Sequence, residues 1–204
     1  MDSPEIVTEG TGWSERPGDR AELDLGFTAT GRTRSAAVGA LAERVGAAPL
    51  AVDGVTVAHR RLWVHNEYRR EKVVGCRAGE DLTLLVTDPA VLESVLSALV
   101  AAEPTTLGGP RWVLADPAAA RREAQARAVA DARDRAVGYA DALGGRLGPL
   151  RRLSEATEPD HGSPRLLRMA AAESAGAPDV RDLGLEPEPV RVTVRCTTHW
   201  SLGV

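Results

Sequence analysis

The sequence predicts an α+β fold: an antiparallel β-sheet with helices packed on one face, one of them long and rich in alanine. Three observations point there. Apolar and polar residues alternate with period two near both ends of the chain and again in its middle. Stretches with helical periodicity and capping residues fall between those segments. One of these stretches, residues 116–148, carries a stripe built almost entirely from alanine, which suits a helix that must approach its neighbour closely.

Taken in order, residues 6–15 are extended by composition, and Gly10 and Gly12 suggest a bulge or a close backbone contact. Residues 21–30 set Leu23, Leu25, Phe27 and Ala29 against Glu22, Asp24, Thr28 and Thr30, the pattern of a half-buried strand. A modestly amphipathic helix over 33–45 follows the Gly31 turn, buries Ala37, Leu41 and Val45, and stops at Gly46. Two long strands, 55–66 and 72–87, are joined by the polar segment 67–71. The first changes phase between Val57 and Leu62, which marks a bulge, and the second is open to interruption at Gly79. Residues 89–102 form a helix with a wide apolar face of Leu92, Val95, Leu96, Leu99 and Val100.

The long helix is expected from Pro117 to Leu143, a span of about 40 Å, with Asp116 as its cap and Gly144 as its stop. A helical wheel puts Ala118, Val129, Ala132, Ala136, Tyr139, Ala140 and Leu143 on the buried side. Glu123, Arg127, Asp131 and Arg135 alternate in sign at spacings of four on the opposite, solvent side. The LADP before this helix matches the VTDP before the preceding one, as in two related strand-helix units. Another strand follows the helix. Residues 159–189, dense in proline and glycine, read as a mobile, dispensable insertion with a short helix around 165–173. The chain ends on a strand over 190–202, and residues 1–204 are expected to make a single domain.

A chain of 204 residues with 43% apolar and 26% charged residues has the composition of a soluble globular protein. A net charge of −4 argues against nucleic acid as a partner. All basic residues but Lys72 are arginine, a bias read as that of a high-GC genome. No run approaches the roughly 18 apolar residues a membrane helix needs, so no membrane partner is expected. Asp2 and Glu5 stand where a signal peptide needs positive charge, and the expectation is a cytoplasmic protein. Cys76 and Cys196 are isolated, and free buried thiols are the default.

With these elements in place the chain resembles the SIMPL domain family, bacterial proteins of largely unknown function. Residues 9–31, EGTGWSERPGDRAELDLGFTATG, resemble its opening hairpin, and residues 75–88, GCRAGEDLTLLVTD, its central strand. Ala128, Asp131, Ala132, Ala136, Ala140, Gly144, Leu147 and Gly148 are similar to its alanine-rich helix and the turn after it. The resemblance spans Ile6 to Leu202 and implies an α+β fold with an antiparallel sheet. It also implies assembly into rings or larger oligomers in some members, and roles in stress tolerance or protein interaction without an established active site.

No catalytic template fits. Gly10, Thr11 and Gly12 begin a G-x-G pattern, but Glu15 takes the place of the third glycine and no helix follows. There is neither a P-loop nor a G-x-S-x-G elbow. His59 and His65 share a strand face with Arg61 and Trp63, and a metal would need Cys76 or His199 as a further ligand, so a solvated face is the stronger reading. No catalytic residue, metal or cofactor is therefore assigned. Trp13, Trp63, Trp112 and Trp200 all fall in strands, where core packing leads. The final strand is taken as an open sheet edge, and Trp200, His199, Arg195 and Arg191 on it are the candidate interface of a homo-oligomer or of a protein partner. The functional expectation is a non-enzymatic oligomeric scaffold or interaction module. Its rival is a small-molecule binding protein or hydrolase working in a cleft between sheet and helices.

Overall fold

The computed structural model describes residues 4–48, 50, 52–156 and 184–203. The expected insertion helix over 165–173 lies outside the described residues, as does most of the 159–189 segment. The elements are β1 (Glu5–Pro17), β2 (Arg20–Gly31), α1 (Arg34–Gly46), β3 (Val55–Arg69), β4 (Lys72–Val86), a 3₁₀ turn (Pro89–Val91), α2 (Leu92–Ala101), β5 (Thr106–Val113), α3 (Ala118–Ala142), β6 (Arg146–Glu155) and β7 (Pro189–Gly203). This is the expected order of strands and helices, and the fold is α+β. The strands form two sheets rather than one, within two compact units: one holds β1, α3, β6 and β7, the other β2 to β5 with α1 and α2.

In the first unit the sheet order is β1-β7-β6. The Pro4 carbonyl accepts from the Leu202 amide, Thr8 meets Thr198 and Glu15 meets Arg191, so β1 and β7 run antiparallel. Helix α3 buries Ala120, Ala124, Ala128, Ala132, Ala136 and Ala140. Of the expected wheel residues Ala118, Val129, Ala132, Ala136, Tyr139, Ala140 and Leu143, only Ala132, Ala136 and Ala140 are among them, for Val129 is half-buried and Ala118, Tyr139 and Leu143 are exposed. The reason is geometric. A row of residues four apart drifts by about 40° per step around a helix of 3.6 residues per turn, so the buried row winds across the wheel. Four helical residues rise about 6.0 Å and two strand residues about 6.8 Å, so β1 can follow that row with every second residue meeting the next alanine. Ile6 packs with Ala136 and Ala140, and Thr8 Oγ1 donates to the Ala132 carbonyl at 2.7 Å.

Gly10 and Gly12 are the tightest points of this seam. A Cβ on Gly10 would lie 2.0 Å from the Ala128 carbonyl oxygen, and one on Gly12 would lie 2.1 Å from that of Ala124. The close-contact reading of these glycines holds. The helix begins where the Asp116 carboxylate accepts from the Ala118 amide at 2.8 Å. It ends in a Schellman motif, with Gly144 at φ +71 and the Gly145 amide donating to the Ala140 carbonyl at 3.0 Å.

In the second unit the order is β3-β4-β2-β5, antiparallel throughout, with β4 central as the resemblance implied. Ala21, Leu23, Leu25 and Phe27 of β2 lie with Ala78, Leu82, Leu84 and Val86 of β4 in the buried layer. Thr33 caps α1, and Ala37, Leu41 and Val45 are its buried residues, as expected. Asp88 accepts from the Ala90 amide just as Asp116 does from Ala118, which gives the VTDP and LADP segments the same capping geometry. Val100 of α2 proves exposed, since Leu92, Val95, Leu96 and Leu99 already fill the buried face. The β3 register shifts between Val57 and His59, where the sequence placed a bulge. Strand β4 is not interrupted at Gly79, because the Trp63 ring opposite lies where a Cβ would be, 2.2 Å from its position, and covers the glycine.

The seam gives a direct test. Ala132→Leu should lower stability by about 1–3 kcal/mol through overpacking. Gly10→Ala should cost at least as much, because its methyl would overlap backbone rather than a movable side chain. Thermal unfolding measures both, and an unchanged midpoint in either variant would show that the strand and helix are not in contact.

Candidate functional site

Strand β7 is the middle strand of its sheet, flanked by β1 and β6. The expectation that it forms an open edge is corrected: the first strand of the chain pairs along it. Trp200 points into the unit, packs on the Ile6, Ala136 and Ala140 cluster, and donates from Nε1 to Thr198 Oγ1 at 2.9 Å. The other three candidates alternate onto the opposite face. Arg191 pairs with Glu15 at 2.7 Å and stacks over the Trp13 ring at 4.4 Å, and His199 Nδ1 lies 3.3 Å from Glu5. Arg195 is exposed on the same face. The four residues therefore do not form one patch, because strand alternation sends Trp200 inward.

The edge at β1 is occupied by side chains of its own helix. Asp131 Oδ2 accepts from the Thr11 amide at 2.9 Å, and Arg127 Nη1 donates to the Trp13 carbonyl at 2.5 Å. The charged row expected to face solvent thus pairs with strand backbone that would otherwise lack a ladder partner. Glu123 adds to it by accepting from Ser14 at 2.8 Å and from Arg16 at 2.7 Å. The Thr11 amide and then the Arg135 guanidinium hold the Asp131 carboxyl below its ordinary value. A depressed carboxylate stabilises the fold above its unfolded value, and the contribution disappears as pH falls through the folded one. Asp131→Asn should therefore flatten the acid limb of the stability profile, measured as midpoint against pH.

The second unit holds a groove of about 420 Å³ between α1 and the sheet, lined by Val38, Leu41, Val45 and Leu62 with Arg60 and Glu80. Helix α1 packs on β2 and β4, and β3 extends beyond it, leaving Val57 and Leu62 exposed on the helix side. Glu80 sits at the buried phase of β4, opposite Leu62 on β3 and Phe27 on β2, and its carboxylate takes the Arg60 Nε–H. The signal was legible: an acid at the inward phase of Cys76, Ala78, Leu82 and Leu84 demands a partner.

The histidines are divided. His59 and His65 lie on the outer face of β3, where His65 stacks on Trp63 at 5.0 Å between centroids. Cys76 faces the other side of the sheet and donates to Asn66 at 3.6 Å, so it does not join them. His199 belongs to the other unit. Burial pushes the Cys196 thiol above its ordinary value, which keeps it protonated and a poor nucleophile.

The SIMPL family, described as a protein of unknown function (DUF541), matches the chain over residues 6–200. The chain belongs to that family. None of the curated proteins matches it. No helix among the described residues is long and apolar enough to cross a membrane.

The pair in the groove should behave as a desolvated acid with a shared cation. Arg60→Ala strands Glu80 and should cost about 1–2 kcal/mol, less than for a fully buried pair because the arginine is largely exposed. Replacing both, Arg60→Ala with Glu80→Leu, should recover most of the loss in urea unfolding.

Proposed function

We propose that the protein is a non-enzymatic scaffold or protein-interaction module that assembles with copies of itself. The observation that carries this is β3, a 15-residue terminal strand of its sheet with β4 on one side only. A long edge of that kind is a template for pairing with another chain. Its exposed Val57 and Leu62, the latter 57% accessible, add apolar surface beside the groove. In the first unit, by contrast, the β1 edge is capped by Asp131 and Arg127.

Arg191, Arg195 and His199 are secondary candidates for the surface, as exposed or partly exposed residues of one strand face, while Trp200 serves packing. The family match runs continuously over both units, which supports reading residues 1–204 as one SIMPL-like domain. A role in stress tolerance and a cytoplasmic, bacterial setting belong to the same reading. A second reading, small-molecule binding or hydrolysis in a cleft, is favoured by the buried Glu80 on the apolar groove.

Size exclusion coupled to light scattering, at micromolar concentration, should give a multiple of the chain mass. A stable contact of this class buries more than about 1,000 Å² in total. A clean monomer that retains a small molecule in a native mass spectrum would instead favour the second reading.

A further inference from the structure

The α1–β3 groove holds one buried charge and one exposed charge. Glu80 is 5% accessible and sits on β4 directly opposite Leu62, one inward position along from the partner of Arg60. The Arg60 side chain is 59% accessible. Its bond to Glu80 uses Nε–H, and among the described residues the guanidinium has no other acceptor. A guanidinium carries five N–H donors in one plane, so the N–H groups of Nη1 and Nη2 remain for a further anion. The arginines of α1 have neutral partners: Arg34 donates to the Asn66 side-chain oxygen at 3.3 Å, and Arg44 to the backbone carbonyls of Thr28 and Glu103. Strand β3 has Arg60, Arg61 and Arg69 against Glu67, and α1 has Arg34 and Arg44 against Glu43. With Glu80 included, the elements that form the groove carry +2 on a chain of net −4. The rest of the lining is aliphatic, with Val38, Leu41 and Val45 of α1 and Leu62 of β3 and no aromatic ring.

We propose that this groove binds a free aliphatic carboxylate, with its chain along Val38, Leu41, Val45 and Leu62 and its carboxylate on Nη1 and Nη2 of Arg60. The inference rests on the small-molecule reading of the same groove and names the ligand class. The sign of the ligand follows from what its head group displaces. An ammonium would have to take Glu80 from Arg60, among elements that are already net positive. A carboxylate displaces only water, because Glu80 keeps the Nε–H while the ligand takes the outer fork in a planar, bidentate pairing. The tail follows from the lining. A flat ring finds nothing to stack on, whereas a flexible chain covers aliphatic surface now open to water, with Leu62 at 57% and Val38 at 36% accessible. The volume of about 420 Å³ falls in the range of small-ligand sites. Glu80 is then a positioning residue, which fixes the arginine beside the apolar surface.

Calorimetry with decanoate, below the concentration at which it forms micelles, tests this. Decanoate should bind on the order of tenfold tighter than decyltrimethylammonium, which has the same tail and the opposite charge. Hexanoate should bind weaker than decanoate by on the order of tenfold or more, for want of methylenes to bury. Arg60→Gln, which keeps a donor for Glu80, should lower decanoate affinity on the order of tenfold and leave decyltrimethylammonium no weaker. If circular dichroism shows that this variant fails to fold, Arg60→Lys keeps the charge, removes the fork and should weaken decanoate alone by roughly severalfold. Equal binding of the two amphiphiles, or decanoate binding unchanged in the folded variant, would overturn the inference. Absence of decanoate binding would overturn it too. If the purified protein still retains another small molecule in a native mass spectrum, the small-molecule reading survives that result, and if it retains nothing, both fall. Attachment of the wild type to equimolar phosphatidylcholine and phosphatidylglycerol vesicles, lost in the Arg60 variant and with no binding of decanoate, would assign the groove to a lipid surface and overturn the inference as well.

Discussion

The backbone-to-backbone approach of β1 and α3 is the contact on which the first unit depends. Gly10 and Gly12 leave no side chain between the strand and the carbonyls of Ala124 and Ala128, and the helix presents only methyl groups. Little apolar area is gained per residue at such a seam. Closeness brings dispersion along its length, and it lets the Thr8 hydroxyl reach the Ala132 carbonyl and Thr198 together. Larger residues at either side would separate the layers and break those bonds, so glycine in the strand and alanine in the helix are one requirement met twice.

The same proximity gives α3 a second task. Because the helix lies so near β1, Asp131 and Arg127 reach the strand's outward amide and carbonyl, and Glu123 reaches Ser14 and Arg16. Charged groups that a helical wheel assigns to solvent become the cover of a sheet edge. Their net electrostatic worth as exposed ion pairs is small. As capping groups they occupy backbone positions that another strand could otherwise use.

The second unit is built on the opposite economy of cover. Helix α1 is amphipathic in the ordinary way and has leucine and valine facing β2 and β4, but its 13 residues do not extend over β3. The strand farthest from the helix thereby keeps exposed apolar side chains, and Glu80 has to share the groove with an arginine from the neighbouring strand. Surface available for a partner follows from a short helix on a wider sheet, with no special motif needed.

The sequence by itself determined the local elements and their order, because strand alternation, helical period and caps such as Thr33, Asp88 and Asp116 act over a few residues. The bulge after Val57 and the Gly144 stop were legible for the same reason. Choices that depend on what lies across from a segment were not. Whether β7 was edge or centre depended on β1, some 180 residues away, pairing beside it. Which alanines were buried depended on the path of a strand along a row that drifts around the helix, and Tyr139 and Leu143 lost their places to Ala120, Ala124 and Ala128. Trp200, chosen as surface from its position near the end of the chain, was drawn inward by the phase of its strand against α3. Periodicity fixes which residues share a face, but only tertiary pairing decides what that face meets.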